Sequence, residues 1–215
     1  MSARIFLLCL LSSVISTVTS LQCYKCFTTN GQCRNEDMTL VECEPDQTHC
    51  SSLTLRTTFS TPPVSYTTKT CVKPEEATDG YFTITSVEGR YFEVIHNSCQ
   101  SDGCNIFPST LPRREELKPN GYTCTGSYTK HGDSSQPDKP VLCLGNENQC
   151  VHANFGLHTL GYIKEDAVIQ ACATSSVCSY PIGKTQMGNG IVEFMLTRKN
   201  CTSATQTFDM MFFKM

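Results

Sequence analysis

The sequence predicts an all-β protein made of two small, disulfide-stapled domains in tandem. Three observations predict it. The chain opens with a leader for an oxidising compartment, fourteen of its fifteen cysteines lie beyond that leader, and their pattern recurs in the second half of the chain.

Residues 1–20, "MSARIFLLCLLSSVISTVTS", pair a basic start at Arg4 with an apolar run from Ile5 to Ile15. Val18 and Ser20 are small enough for the minus-three and minus-one cleavage positions. This is the pattern of a secretory signal peptide, and the run is too short to cross a bilayer as a helix. A mature chain beginning at Leu21, secreted and extracellular, is expected. Cys9 leaves with the leader, and the even number that remains, in an oxidising compartment, is the condition for a disulfide framework. The chain has no tryptophan and 17% charged residues, which suits small stapled domains better than one large core. Without Arg4, 16 basic residues face 20 acidic ones, leaving no basic surface for nucleic acid. The tail "CTSATQTFDMMFFKM" has an apolar patch only from Met210 to Phe213, followed by Lys214. A glycolipid anchor signal needs roughly 10–20 apolar residues, so neither an anchor nor a membrane span is expected.

Cys23, Cys43, Cys50, Cys71 and Cys99 are matched by Cys124, Cys143, Cys150, Cys172 and Cys201, at offsets of 101, 100, 100, 101 and 102 residues. Self-similarity over that length indicates a duplicated domain, each copy expected to carry its own core and staples. The boundaries fall at 21–108 for the first domain and 121–215 for the second. The linker, 109–120, lies within "PSTLPRREELKPNGY", where prolines, a charge cluster and Asn120-Gly121 argue against a regular element. Arg113 and Arg114 are expected to be solvated there and open to proteolytic nicking.

The segments between cysteines alternate with period two. In "SSLTLRTTFS", Leu53, Leu55, Thr57 and Phe59 share one face, with Thr54, Arg56 and Thr58 on the other. "YFTITSVEGRYFEVIHN" reads as two strands joined across Glu88-Gly89. "QCVHANFGLHTLGY" and "GIVEFMLTRKN" behave likewise in the second half, and no segment sustains helical periodicity with caps.

Spacing leaves 105 ways to pair eight cysteines and 15 to pair six. The opening "LQCYKCFTTNGQC", the C-x6-C pairs and the closing C-x4-CN of "NSCQSDGCN" resemble the LU (lymphocyte-antigen/urokinase-receptor) family of three-finger domains. The resemblance covers nearly all of the mature chain. It implies the pairs Cys23–Cys50, Cys26–Cys33, Cys43–Cys71 and Cys99–Cys104 in the first domain. In the second it implies Cys124–Cys150 and Cys143–Cys172, and leaves Cys178, at the seventh position, for Cys201. Each departure from the family's ten cysteines removes both members of a pair, so no odd thiol remains. Seven such bonds stabilise by roughly 2–4 kcal/mol each, which domains with small cores need. The family asparagine, here Asn105, is expected to bond back to the N-terminal strand.

No catalytic constellation is visible. Cys23-Tyr-Lys-Cys26 lacks the βαβ context of a redox pair, and zinc would require reduced thiolates. His49, His96, His131, His152 and His158 form no H-x3-H or HExxH pattern, and no loop has calcium-ligand spacing. An enzyme is therefore not expected, and no metal or other cofactor is called for. Asn200-Cys201-Thr202 is an N-glycosylation sequon, with Cys201 expected in a disulfide.

Function then falls to the exposed fingers, where stapled hairpins bind with little loss of ordering entropy. The candidate contacts are Phe59, Tyr66, Tyr81 and Phe92 in the first domain and Tyr128, Phe155, Tyr162 and Tyr180 in the second. Sheet packing is the competing role for each. The two-domain layout, with "LKPNGYTCTGSY" opening the second domain, is similar to the gamma-type phospholipase A2 inhibitors. That likeness implies a secreted phospholipase A2 as protein partner, blocked by contact, and allows oligomers. The other reading is a soluble binding protein of the urokinase-receptor type, acting in adhesion or signalling.

Overall fold

A computed structural model of the chain describes residues 20–29, 31–159 and 163–207. The expected leader lies outside these residues apart from Ser20. The first half contains β1 (Gln22–Thr28), β2 (Thr39–Glu42), β3 (His49–Thr57), β4 (Val64–Val72), β5 (Gly80–Thr85) and β6 (Tyr91–Cys99). The second contains β7 (Pro119–Lys130), β8 (Lys139–Leu144), β9 (Gln149–Thr159), β10 (Ile163–Ala173), the short helix α1 (Ser175–Ser179), β11 (Gly183–Met187), β12 (Val192–Ser203) and β13 (Thr205–Gln206). Each half is three antiparallel hairpins in the same order, β5-β6-β3-β4-β1-β2 and β11-β12-β9-β10-β7-β8. The alternation seen in the sequence is the cause: one face of every central strand is apolar and must be covered.

Seven disulfides join Cys23–Cys50, Cys26–Cys33, Cys43–Cys71, Cys99–Cys104, Cys124–Cys150, Cys143–Cys172 and Cys178–Cys201. The stretch closed by Cys99–Cys104 places Asn105 against β1. The Asn105 amide accepts from the Tyr24 N–H at 2.9 Å and donates to the Tyr24 and Ser51 carbonyls at 2.9 and 3.0 Å. The second half closes without such a turn: β13 pairs with β7, Thr205 opposite Thr123.

The expectation of a separate core in each half is corrected by the packing. One apolar cluster runs through both halves and includes Leu55, Phe59, Phe92, Phe155, Ile169 and Phe194. Phe155, 1% exposed, sits at its centre. Its ring meets Phe59 at 5.0 Å, Phe92 at 5.4 Å and Phe194 at 5.7 Å between centroids. Phe59 stacks on Tyr128 at 5.1 Å, Phe92 on Phe194 at 5.1 Å, and Phe82 meets Tyr180 edge-on at 5.3 Å. Aromatic pairs at such spacings add about 0.5–1.5 kcal/mol beyond their area burial. Six of the aromatics singled out as contact residues are therefore core: Phe59, Tyr66, Phe92, Tyr128, Phe155 and Tyr180 are each buried. The physical reason is that each half alone has too little apolar surface to cover its sheet, and the largest rings cover both sheets at once.

The backbones join as well. β10 pairs with β5 through Cys172 opposite Thr85 and Ala173 opposite Ile84, making the sheets continuous. The turn after β5 reaches into the second half, where the Ser86 hydroxyl donates to the carbonyls of Ser127 and Gln170 at 3.0 and 2.9 Å. Val87 beside it lies over Gly126, where a Cβ would come within 3.1 Å of Val87 and 2.2 Å of Val141, so only glycine fits. In the reverse direction, the Asn189 N–H at the β11–β12 turn donates to Glu76 of the first half.

Two buried carboxylates organise the joint. Glu147, fully buried in the second half, accepts hydrogen bonds from Thr83 and Thr85 of β5 at 3.0 and 2.5 Å and from its own loop at Leu144 N–H. Glu93, also fully buried, pairs with Arg56 at 2.6 Å and with Arg114 at 2.8 Å. Arg114 also lies 4.5 Å over the Tyr91 ring and donates to Thr85. The expectation of a solvated dibasic linker is thus corrected for Arg114, whose side chain is 15% exposed, while Arg113 remains 75% exposed. An unpaired Glu93 would be too costly to bury, and Arg114 answers that demand.

Phe155→Ala is expected to cost about 3–5 kcal/mol and to do so in one cooperative unfolding transition, since the ring belongs to both halves. Chemical denaturation followed by tyrosine fluorescence and far-ultraviolet dichroism checks this; a variant in which only part of the signal shifts would show independent cores. Burial is the largest influence on Glu147 and raises its carboxyl above the usual 4.5, against the hydrogen bonds from Thr85 and Leu144. Its stabilising contribution is complete below the unfolded value and is lost as pH rises through the raised folded value. In urea titrations across pH, Glu147→Gln should therefore gain stability relative to wild type as pH rises above 4.5. Parallel pH profiles would contradict the assignment.

Candidate binding face

The sheets of the two halves have matching outer faces, and among the described residues only one is covered. In β3 and β4 the outward side chains are Ser52, Thr54, Thr67 and Lys69, at 3%, 4%, 0% and 1% exposure. Residues 105–112 run across them. Lys69 Nζ donates to the carbonyls of Asn105, Ile106 and Phe107 at 2.5, 2.8 and 2.7 Å. The Asn97 amide donates to Ser109, whose hydroxyl donates to the Ser52 carbonyl at 3.1 Å, and Arg56 reaches the Pro112 carbonyl at 2.7 Å. The loop closed by Cys26–Cys33 covers the remainder, with Thr67 donating to the Gly31 carbonyl at 2.8 Å. Burial lowers the Lys69 ammonium to about 8.

Among the described residues, the second half has neither cover. Its chain passes from β12 into β13 beside β7, and β7–β8 carries no cysteine loop. Strand register places the equivalent side chains in rows across the sheet. Gln170, His152 and Asn200 form the row nearest the disulfides, followed by Val168, Asn154 and Thr197. His152 and Asn200 are exposed, and Val168 is 40% exposed despite being aliphatic. A groove of about 660 Å³ runs over the first row, walled by Thr125 and Asp138 on one side and Thr202 and Thr205 on the other. Nearer the hairpin tips, His158 lies between two carboxylates, Nε2 at 3.0 Å from Asp166 and Nδ1 at 3.4 Å from Glu193. A hydrogen bond from Lys184 is the main influence holding the Glu193 carboxyl below its ordinary value.

The face therefore offers one exposed aliphatic residue, a hydrogen-bonding groove and a charged cluster on a rigid antiparallel sheet. Such a surface can hold a macromolecule by shape and polar contacts. The sulfurs of Cys23, Cys43 and Cys71, and of Cys124, Cys143 and Cys172, lie close enough to group around an ion. All six are in disulfides and present no thiolate ligand.

Of the sequence candidates not in the core, Tyr81 is partly buried, and its carbonyl accepts from Ser176 across the joint. Tyr162 falls outside the described residues. Asn200 lies on the open face itself. The sequence candidates did not include Asp166, Val168 or Gln170. The alternation Val151, Ala153, Phe155, Leu157 against His152, Asn154 and His158 marks the outward face, but not whether another segment lies over it.

Residues 19–107 match the family model described as the u-PAR/Ly-6 domain. A gamma-type phospholipase A2 inhibitor chain of Gloydius brevicaudus siniticus is 24% identical over 197 residues, covering 90% of this chain and 92% of that protein. Ly6/PLAUR domain-containing protein 8 of Mus musculus is 24% identical over 198 residues, covering 89% of this chain and 72% of that protein. Among solved structures, the crystal structure of mouse TEX101 aligns with a TM-score of 0.34 at 15% identity, covering 85% of this chain and 97% of that one. Residues 19–107 thus carry a u-PAR/Ly-6 domain, and the chain as a whole, β-hairpins held by seven disulfides, is similar to LU-family proteins.

Proposed function

We propose that the chain is an extracellular binding protein whose partner docks on the open face of the second half, and that this partner is a secreted phospholipase A2, inhibited by contact. The carrying observation is that the first half's outer face is covered by residues 105–112 while, among the described residues, its counterpart is open, with Val168 exposed and Asn154, Asp166 and His158 partly so. A chain that covers one sheet face with its own residues and leaves the equivalent one open has a surface available to another protein. The relative named as a phospholipase A2 inhibitor, matched along most of both chains, supports the choice of partner. No substrate chemistry is assigned: the face presents no nucleophile beside a base, and the reading is a binding protein rather than an enzyme. The leader supports secretion.

The test is titration of the secreted chain against a panel of secreted phospholipases A2, following binding and lipid hydrolysis together. Saturable binding with loss of hydrolysis is expected. Val168→Arg should weaken it about tenfold or more, as for a central contact, whereas Phe107→Ser, at an exposed site on the first half, should leave it unchanged. Absence of binding across the panel would remove the phospholipase reading and favour a urokinase-receptor-type binding protein with another partner.

A further inference from the structure

We propose that Asn200 carries an N-linked glycan whose first sugars lie in the groove beside it, covering the row nearest the disulfides as residues 105–109 cover its counterpart in the first half. Three observations converge. Asn200-Cys201-Thr202 is a sequon, and its Asn and Thr side chains, two apart on β12, are both exposed and both line the same groove. The groove's walls include the hydroxyls of Thr125, Ser203 and Thr205, the Gln170 amide, the His152 imidazole and the Asp138 carboxylate, which are partners for sugar hydroxyls and acetamido groups. The Asn200 and His152 side chains have no hydrogen-bond partner among the described residues. In the first half the corresponding position is Asn97, opposite Ser52 as Asn200 is opposite His152, and its amide is taken up by Ser109 of the covering segment.

The modification is a group transfer from a lipid-pyrophosphate-linked oligosaccharide. Asn200 Nδ2 forms a bond to C1 of the reducing-end N-acetylglucosamine and loses one proton, while the bond from C1 to the lipid pyrophosphate breaks and the pyrophosphate leaves with its electron pair. The strand is extended at Asn200, and among the described residues β12 pairs there only with β9, since β11 ends opposite Val192–Leu196. A glycan on Asn200 therefore projects from a sheet edge that it does not have to displace. A glycan confined to this row leaves Val168, Asn154, Asp166 and His158 uncovered, so it limits docking to the part of the sheet nearer the hairpin tips.

The experiment uses the full chain secreted from a eukaryotic host. Peptide mass spectrometry should show carbohydrate on the Asn200 peptide, absent in Asn200→Gln and Thr202→Ala and retained in Thr202→Ser. Diethyl pyrocarbonate should then modify His152 slowly in the glycosylated protein and several-fold faster after enzymatic deglycosylation, with exposed His131 as the internal reference. Deglycosylating the purified wild type supplies the comparison even if a variant is not secreted. An unmodified Asn200 would overturn the proposal. So would a His152 reactivity indifferent to the glycan, which would mean that the sugars project away from the groove.

Discussion

Phe155 touches Phe59 and Phe92 of the first half and Phe194 of its own, and most of what else is distinctive about the molecule depends on that contact. A three-hairpin unit of this size buries too little surface to be secure on apolar packing alone. Disulfides restrict the unfolded chain, but they do not cover a sheet face. Placing the two inner faces against a common set of rings does. The polar joint follows from that placement: once β5 lies beside β10, Glu147 and Glu93 are enclosed, and Thr83, Thr85, Arg56 and Arg114 must satisfy them.

The same arrangement decides which surface is free. Inner faces are used up in the shared core, and the turns after β3 and β5 are docked on the second half through Phe59, Ser86 and Val87. The stem of the first half is covered by residues 105–112, held by Lys69. What is left is the outer face of β7, β10, β9 and β12, rigid because its other side is the core. Binding there loses little conformational entropy, which is how a small stapled protein can hold a partner without a deep pocket.

The all-β class was legible because alternation and cysteine recurrence are local properties of the chain. Leu53, Leu55 and Thr57 against Ser52, Thr54 and Arg56 states which side faces inward, and the structure places them so. What lies over the other side is a long-range property. Thr54 and Asn154 occupy equivalent places in equivalent strands, yet one is buried and the other partly exposed. The difference originates some fifty residues away from Thr54, in the course of the chain after Cys104. The aromatics misled for a related reason: a ring alternating with polar residues at a hairpin tip looks available until a second copy of the domain packs against it. Arg114 carried no sign of its role, because the carboxylate it neutralises, Glu93, is distant in sequence and looks like any solvent-facing strand residue.

The most direct test of the shared core is native-state hydrogen exchange on the wild-type chain under increasing denaturant. The slowest amides of β5 and β6 and those of β9 and β10 should converge on one opening free energy and one denaturant dependence, because opening either sheet breaks the same ring cluster. Two separate isotherms, with the first half opening while the second stays protected, would mean that each half folds on its own core.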